Sequence, residues 1–193
     1  MSDTPSPLSS VVNDVGTSNA HGNGNGADAA RPEGFQRVSA ALRALAHAHE
    51  PLWLEVSARS SQEAAEALGV ALGQIAKSVV FRRKADDSAV LVIASGDKRV
   101  DERKLEVHTG KLGRADADYV KARTGFSIGG VSPLGFQPSY AVDGNAPPQL
   151  FIDRELFRFD AIWAAAGHPN GVFQMTPDQL VALTGAPVIE VAQ

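Results

Sequence analysis

The chain has no cysteine. That excludes disulfides, a thiol nucleophile and thiolate metal sites, and it fits a reducing, cytoplasmic setting. No window approaches the eighteen or so uninterrupted apolar residues of a membrane span, so no membrane partner is expected. Ser2 to Asn13 lack the basic and apolar regions of a secretory signal, and export is not indicated. His47 and His49 stand two apart on a predicted helix, where such positions do not share a face, and the other histidines are scattered. No zinc-ligand spacing, phosphate loop or dinucleotide fingerprint is present, which sets aside a metal and nucleotide-cofactor chemistry. A surplus of basic residues is also missing: the formal net charge of -4 argues against coating nucleic acid by bulk charge, and DNA is not expected as a partner.

What remains is a 193-residue chain, 44% hydrophobic and 21% charged, the makeup of one soluble globular domain with an appendage. Residues 1–32 are rich in Ser, Asn, Gly and Pro and read as a disordered tail, leaving 33–193 as the domain. The apolar stripe Phe35, Val38, Ala41, Leu42, Leu45 predicts a helix over 34–48. Leu52 to Val56 reads as a strand, and Ser60-Ser61-Gln62-Glu63 as a capping box before a helix stopped by Gly69. Ile75 to Arg83 and Ala89 to Ala94 form an expected hairpin across a turn at Lys84 to Ser88, the second strand apolar enough for burial on both faces. Helices are predicted over 101–109 and 116–124, with Asp101 as a cap and Gly125 as a stop. Strands follow at Ser139 to Val142, Gln149 to Ile152, Ala161 to Ala166 and Gly171 to Met175, the last two forming a hairpin. A final helix runs from Thr176-Pro177 to Gly185, and Val188 to Val191 closes as an edge strand. Strands and helices mix without strict alternation, which predicts an α+β domain with a strongly curved mixed sheet.

Lys77 breaks this pattern. In the strand Ile75 to Arg83 the odd positions Ile75, Val79 and Phe81 make an apolar face, and the period of two puts Lys77 on it. An ammonium group there must reach water along its own methylenes, find an anion or give up its proton. Gly130-Val131-Ser132-Pro133-Leu134-Gly135 nearly forms a nucleophile elbow, but Leu134 replaces the second glycine and Pro133 has no N–H for an oxyanion. A serine hydrolase using Ser132 with His168 as base is therefore disfavoured. As Gly129 to Pro133 the same residues make a stiff loop, either a plain turn or one whose amides bind a carbonyl or anion. His168 sits at a Gly-His-Pro-Asn turn, where an imidazole is either exposed and inert or in contact with a substrate. Arg82, Arg83, Lys98, Arg99, Arg103 and Lys104 are solvated faces unless some converge with Lys77 into a phosphate grip.

Six short motifs then fall in order: Glu63-Ala64-Ala65, Leu68-Gly69-Val70, Gln74 to Phe81, Gly96-Asp97-Lys98-Arg99-Val100-Asp101, Gly129 to Gly135, and Ala166-Gly167-His168-Pro169-Asn170. In this order the chain resembles the YbaK and prolyl-tRNA-synthetase-associated editing-domain family over about residues 35–190. The resemblance implies a curved, partly barrel-like mixed sheet flanked by helices. It implies a freestanding deacylase that hydrolyses the ester of a mischarged tRNA, that for proline carrying a small wrong amino acid, without cofactor or metal. The expected partners are the tRNA acceptor end and prolyl-tRNA synthetase; the alternative is a noncatalytic tRNA- or synthetase-binding module of the same fold. By the resemblance Lys77 and Gly129 carry catalysis, with Lys77 holding the 3′ end. Phe81, Ile128, Gly130, Val131, Ser132, Pro133 and His168 contact the aminoacyl group or line its pocket, and Arg82, Lys98 and Arg99 meet the tRNA. Which amino acid is removed stays open among alanine, cysteine, serine, threonine and small nonprotein analogues.

Overall fold

A computed structural model describes residues 30–138 and 146–193. The expected tail up to residue 29 and the strand expected at Ser139 to Val142 lie outside the described residues. Helix α1 (Glu33–Ala44) buries Phe35, Val38 and Leu42, the first part of the predicted stripe. It ends four residues short of the expected boundary. His47 N–H donates to Leu42 O at 2.9 Å and Ala46 N–H to Arg43 O at 3.0 Å, with Ala46 left-handed at φ 52°. This is a Schellman stop built on alanine rather than glycine, and it leaves Leu45 exposed.

Strand β1 (Leu52–Trp53) is also shorter than the expected 52–56. Past Trp53 the chain leaves the sheet to grip a turn instead: Leu54 N–H donates to Asn170 O at 2.7 Å, Asn170 Nδ2 to Leu54 O at 2.9 Å, and Ala58 N–H to Pro169 O at 3.0 Å. Helix α2 (Ser61–Leu68) begins with the predicted capping box, Ser60 Oγ accepting Glu63 N–H at 3.2 Å while Glu63 accepts Ser60 N–H at 2.9 Å, and ends at left-handed Gly69.

Strands β2 (Ile75–Arg83) and β3 (Ala89–Ser95) form the antiparallel centre, with Lys77 opposite Ala94 and Phe81 opposite Val90; β3 is buried along its whole length, as its composition predicts. Helix α3 (Glu102–Thr109) is capped by Asp101. Strand β4 (Leu112–Arg114), too short to show an alternation in sequence, pairs with the far end of β2. Helix α4 (Ala117–Thr124) ends at Gly125, as predicted. Strand β5 (Gln149–Asp153) runs parallel to β3, and β6 (Ile162–Ala165) parallel to the start of β2. Strand β7 (Gly171–Met175) folds back on β6 in the expected hairpin. Helix α5 (Pro177–Thr184) has its Thr176 cap and Gly185 stop, and β8 (Val188–Ile189) is an edge strand on β5. It stops before the expected Val191, whose N–H turns to Asp153 Oδ1 at 3.4 Å.

The strands make one mixed sheet in the order β1-β7-β6-β2-β3-β5-β8, with β4 attached to β2. On one face Ala76, Leu91 and Ile93 pack with α1, Val120 of α4 and Leu180 of α5; on the other, Phe81, Val90 and Phe151 pack with Leu105 of α3, while Ile75 packs under α2. This is the expected α+β architecture, a mixed sheet flanked by helices. Among the described residues no helix is long and apolar enough to cross a membrane.

One edge of β2 changes partner along its length. It pairs β6 at Ile75–Ala76 and β4 at Phe81–Arg83, with no partner strand between among the described residues. Lys84 N–H reaches Lys111 O on that side, whereas Arg83 N–H reaches Ser88 O on the hairpin side. Backbone groups alternate between the two edges along a strand, so the even residues Ser78 and Val80 face the gap.

Candidate functional site: a cavity where the sheet divides

A cavity of about 270 Å³ opens at this gap. The first turn of α2 (Ser60, Ser61, Ala64), β2 from Ile75 to Ser78, and Trp163 and Ala165 of β6 form its walls. Ile128, Gly129 and Val131 close it from the loop after α4, Pro169 from the turn between β6 and β7, and Gly171 from the start of β7. Apolar groups predominate; among the described residues the charged lining side chains are Arg59 and Lys77, and none is acidic. Such a space favours a small, largely apolar group attached to something electron-rich.

Lys77 Nζ is held by main-chain oxygens. It donates to Gly96 O at 3.2 Å and to Lys98 O, two of its three N–H bonds. Burial pulls its pKa below the usual lysine value; Asp97 and Asp153 oppose that and Arg99 adds to it. The seat is itself braced. Arg158, ending the short 3₁₀ turn Arg154–Arg158, donates to both oxygens of Asp97 at 2.7 and 3.0 Å, and to Ser95 Oγ at 3.1 Å. Ser95 Oγ lies 2.6 Å from Gly73 O. A side chain at Gly96 would strike the carbonyl of Leu72, so the loop that offers its carbonyls to Lys77 lies flat on its neighbour.

On the opposite wall Gly129 adopts φ 88°, a left-handed conformation that favours glycine. Gly130 follows with its Cα against the backbone of His168; a Cβ there would come within 2.7–2.9 Å of that residue's main chain. Gly130 N–H is spent on Ser127 O at 3.0 Å. The two glycines thus join the loop to the turn that closes the cavity.

The structure brings Lys77, Ile128, Gly129 and Val131 together as cavity lining, with Gly130 directly behind. The other candidates lie elsewhere. Phe81 is buried in the cluster with Val90 and Leu105, and Pro133 lines a separate groove with Leu134 and Pro187. Ser132 is fully buried and its Oγ accepts Leu134 N–H at 3.3 Å, a turn contact that leaves no exposed nucleophile. The His168 ring stacks on Trp53 at 4.9 Å between centroids and accepts Asn170 N–H at Nδ1, with burial lowering its pKa. Arg82 pairs with Asp87, Lys98 with Glu155 at 3.4 Å, and the carbonyl of Arg99 accepts Gln193 N–H. Sequence reasoning did not reach Arg59, Ser78, Trp163, Asp97 or Arg158. Of these, Asp97 lay inside a quoted motif beside the Lys77 strand, and its acid beside two bases was the available signal.

The fold and site define a small α+β domain with a compact cavity at the division of a mixed sheet, lined in part by a half-buried cation. The aminoacyl-tRNA editing domain family matches residues 55–183, and the chain belongs to that family. It is 34% identical over 127 residues to the uncharacterized protein YwhH of Bacillus subtilis (strain 168), covering 65% of this chain and 75% of that one. It is 34% identical over 123 residues to a proline–tRNA ligase of Pelotomaculum thermopropionicum, covering 59% of this chain and 20% of the ligase. A crystal structure described as that of a proposed trans-editing enzyme for prolyl tRNA synthetase superposes with a TM-score of 0.74 at 35% identity, over 84% of this chain and 99% of the other.

Proposed function

We propose that the protein is an aminoacyl-tRNA deacylase that hydrolyses the ester of a mischarged tRNA, that for proline carrying a small wrong amino acid. The observation that carries this reading is the Lys77 ammonium, seated on two loop carbonyls in the wall of a small, mainly apolar cavity. Its third N–H is available to an oxygen of the terminal nucleotide. The aminoacyl side chain then occupies the space between Ile75, Val131 and Trp163, and the ester carbonyl lies toward Gly129. An aminoacyl ester is already activated, so holding it still, admitting one water and stabilising the developing oxyanion suffice without a protein nucleophile. Similarity to part of a proline–tRNA ligase and to a proposed trans-editing enzyme supports proline as the tRNA. Lys98 and Arg99, whose loop also seats Lys77, are the proposed contacts for the acceptor end, together with Arg59 of the cavity lining; Arg82 is held in the hairpin by Asp87.

The test is hydrolysis of a panel of proline tRNAs charged with alanine, cysteine, serine, threonine and a small nonprotein amino acid, by wild type and by Lys77→Ala. Turnover of one or two substrates, lost in Lys77→Ala, is the expected result. Binding of the panel without turnover by folded wild-type protein would identify a noncatalytic module instead.

A further inference from the structure

Asp153, the last residue of β5, is fully buried. One of its oxygens, Oδ1, accepts Val191 N–H at a long 3.4 Å, and the other, Oδ2, is buried with no hydrogen-bond partner among the described residues. A carboxylate in that condition is costly unless a positive charge answers it. The strand register supplies one. Lys77 on β2 stands opposite Ala94 on β3, and Ala94 follows Ile93, whose neighbour on β5 is Ile152, the residue before Asp153. Lys77, Ala94 and Asp153 therefore form a row across three adjacent strands. They share a face, because Phe81, Ala94 and Phe151, at even offsets along the same strands, all belong to one core cluster. The middle member contributes only a methyl group, so nothing bulky separates the two charged side chains.

We infer that Asp153 is the buried counter-charge of Lys77, a positioning residue that keeps the lysine an ammonium in the cavity wall without itself touching a substrate. The other charges facing Lys77 come from the loop after β3, Asp97 in favour of the ammonium and Arg99 against it. Asp97 is already engaged by Arg158, so its charge is largely answered. At Asp153 burial, with the Glu155 charge, raises the pKa on balance, while the backbone N–H groups of Val191, Glu155 and Ala192 lower it. Burial thus works against both charges, and the Asp153 carboxylate favours the ammonium form of Lys77. The division of labour follows: the carbonyls of Gly96 and Lys98 fix where the ammonium sits, and Asp153 keeps it protonated. Its consequence for catalysis rests on the proposed deacylase reading, whereas the pairing itself does not.

The experiment titrates Lys77 by NMR after reductive ¹³C-methylation of the lysines, in wild type and in Asp153→Asn, with the signal assigned by its loss in Lys77→Met. Removing one charge at the separation of two strand spacings is expected to lower the Lys77 midpoint by about one pH unit, tenfold in proton affinity. Linkage requires the reciprocal change, so the carboxyl midpoint of Asp153 in Lys77→Met rises by a similar amount. That second arm decides the matter if Asp153→Asn does not fold. Both midpoints staying at their wild-type values would overturn the pairing. Coupled midpoints in a protein that deacylates none of the tRNA panel would support the pairing and remove the deacylase reading.

Discussion

At the scale of single residues, the proposed chemistry turns on one cation, Lys77, held by the carbonyls of Gly96 and Lys98. Under the proposed reading, replacing Lys77 by alanine removes the donor that anchors the terminal nucleotide, and kcat/KM for the preferred mischarged tRNA should fall by about 10²-fold through misplacement of the ester, with the circular dichroism spectrum unchanged. Activity should also decline as pH rises through the Lys77 pKa, at a lower pH than an ordinary lysine allows, because burial depresses that value. The stability sign is the opposite. A lysine whose folded pKa is depressed is a destabilising charge below that pKa, and the folded state gains stability as pH climbs from it toward the unfolded value. Urea unfolding of wild type and Lys77→Met across that interval should therefore converge as pH rises. Gly130→Ala is a steric prediction: its Cβ would fall 2.7–2.9 Å from the His168 backbone. A loss of about 1–3 kcal/mol, read from thermal melts, is expected.

At the scale of elements, the site depends on devices outside the cavity. The Arg158–Asp97 ion pair is partly exposed, so Arg158→Ala should cost at most about 1 kcal/mol in stability. Its effect on turnover should be larger, a severalfold loss, because the loop offering carbonyls to Lys77 loses its brace; comparing melts with rates separates the two. Ser60→Ala removes the cap of α2, a cavity wall, and should lower stability by about 1 kcal/mol in denaturant titrations. These elements differ in how far sequence revealed them. The α2 and α5 boundaries were readable because serine, threonine and glycine caps carry their own chemistry. The early end of α1 was not, because alanine at a left-handed position gives no signal. Lys77 stood out as a charge on an apolar face; Asp153, at a strand end, reads as an ordinary turn residue until the register sets it beside Ala94.

For the whole molecule, the proposed function asks an acidic chain to take a highly anionic substrate, which it must do through a few local contacts. With a net charge of -4 and two or three phosphates met near the cavity, the affinity for tRNA should fall with salt at a log–log slope of about -2, the single-strand dependence for that many contacts. Binding measured between low and moderate salt checks this. The mixed sheet and the pairing of Lys77 with the Gly129 loop were legible because ordered motifs run along most of the described chain. The exclusion of Phe81, Pro133 and the His168 ring from the cavity was not, since which side of a loop or strand meets a pocket is settled by packing between distant segments.

Strand β2 is in effect a beam: fastened to β6 at one end and β4 at the other, and, among the described residues, unsupported on that side between them. The start of that span, Lys77 and Ser78, lines the cavity. A central strand is ordinarily among the last parts of a protein to release its amide protons to solvent. Here the amides of Ser78 and Val80 should exchange ahead of those at either fastened end, and a guest in the cavity would slow that of Ser78 relative to that of Val80, so the occupied cavity would leave its mark in the timing of a single proton.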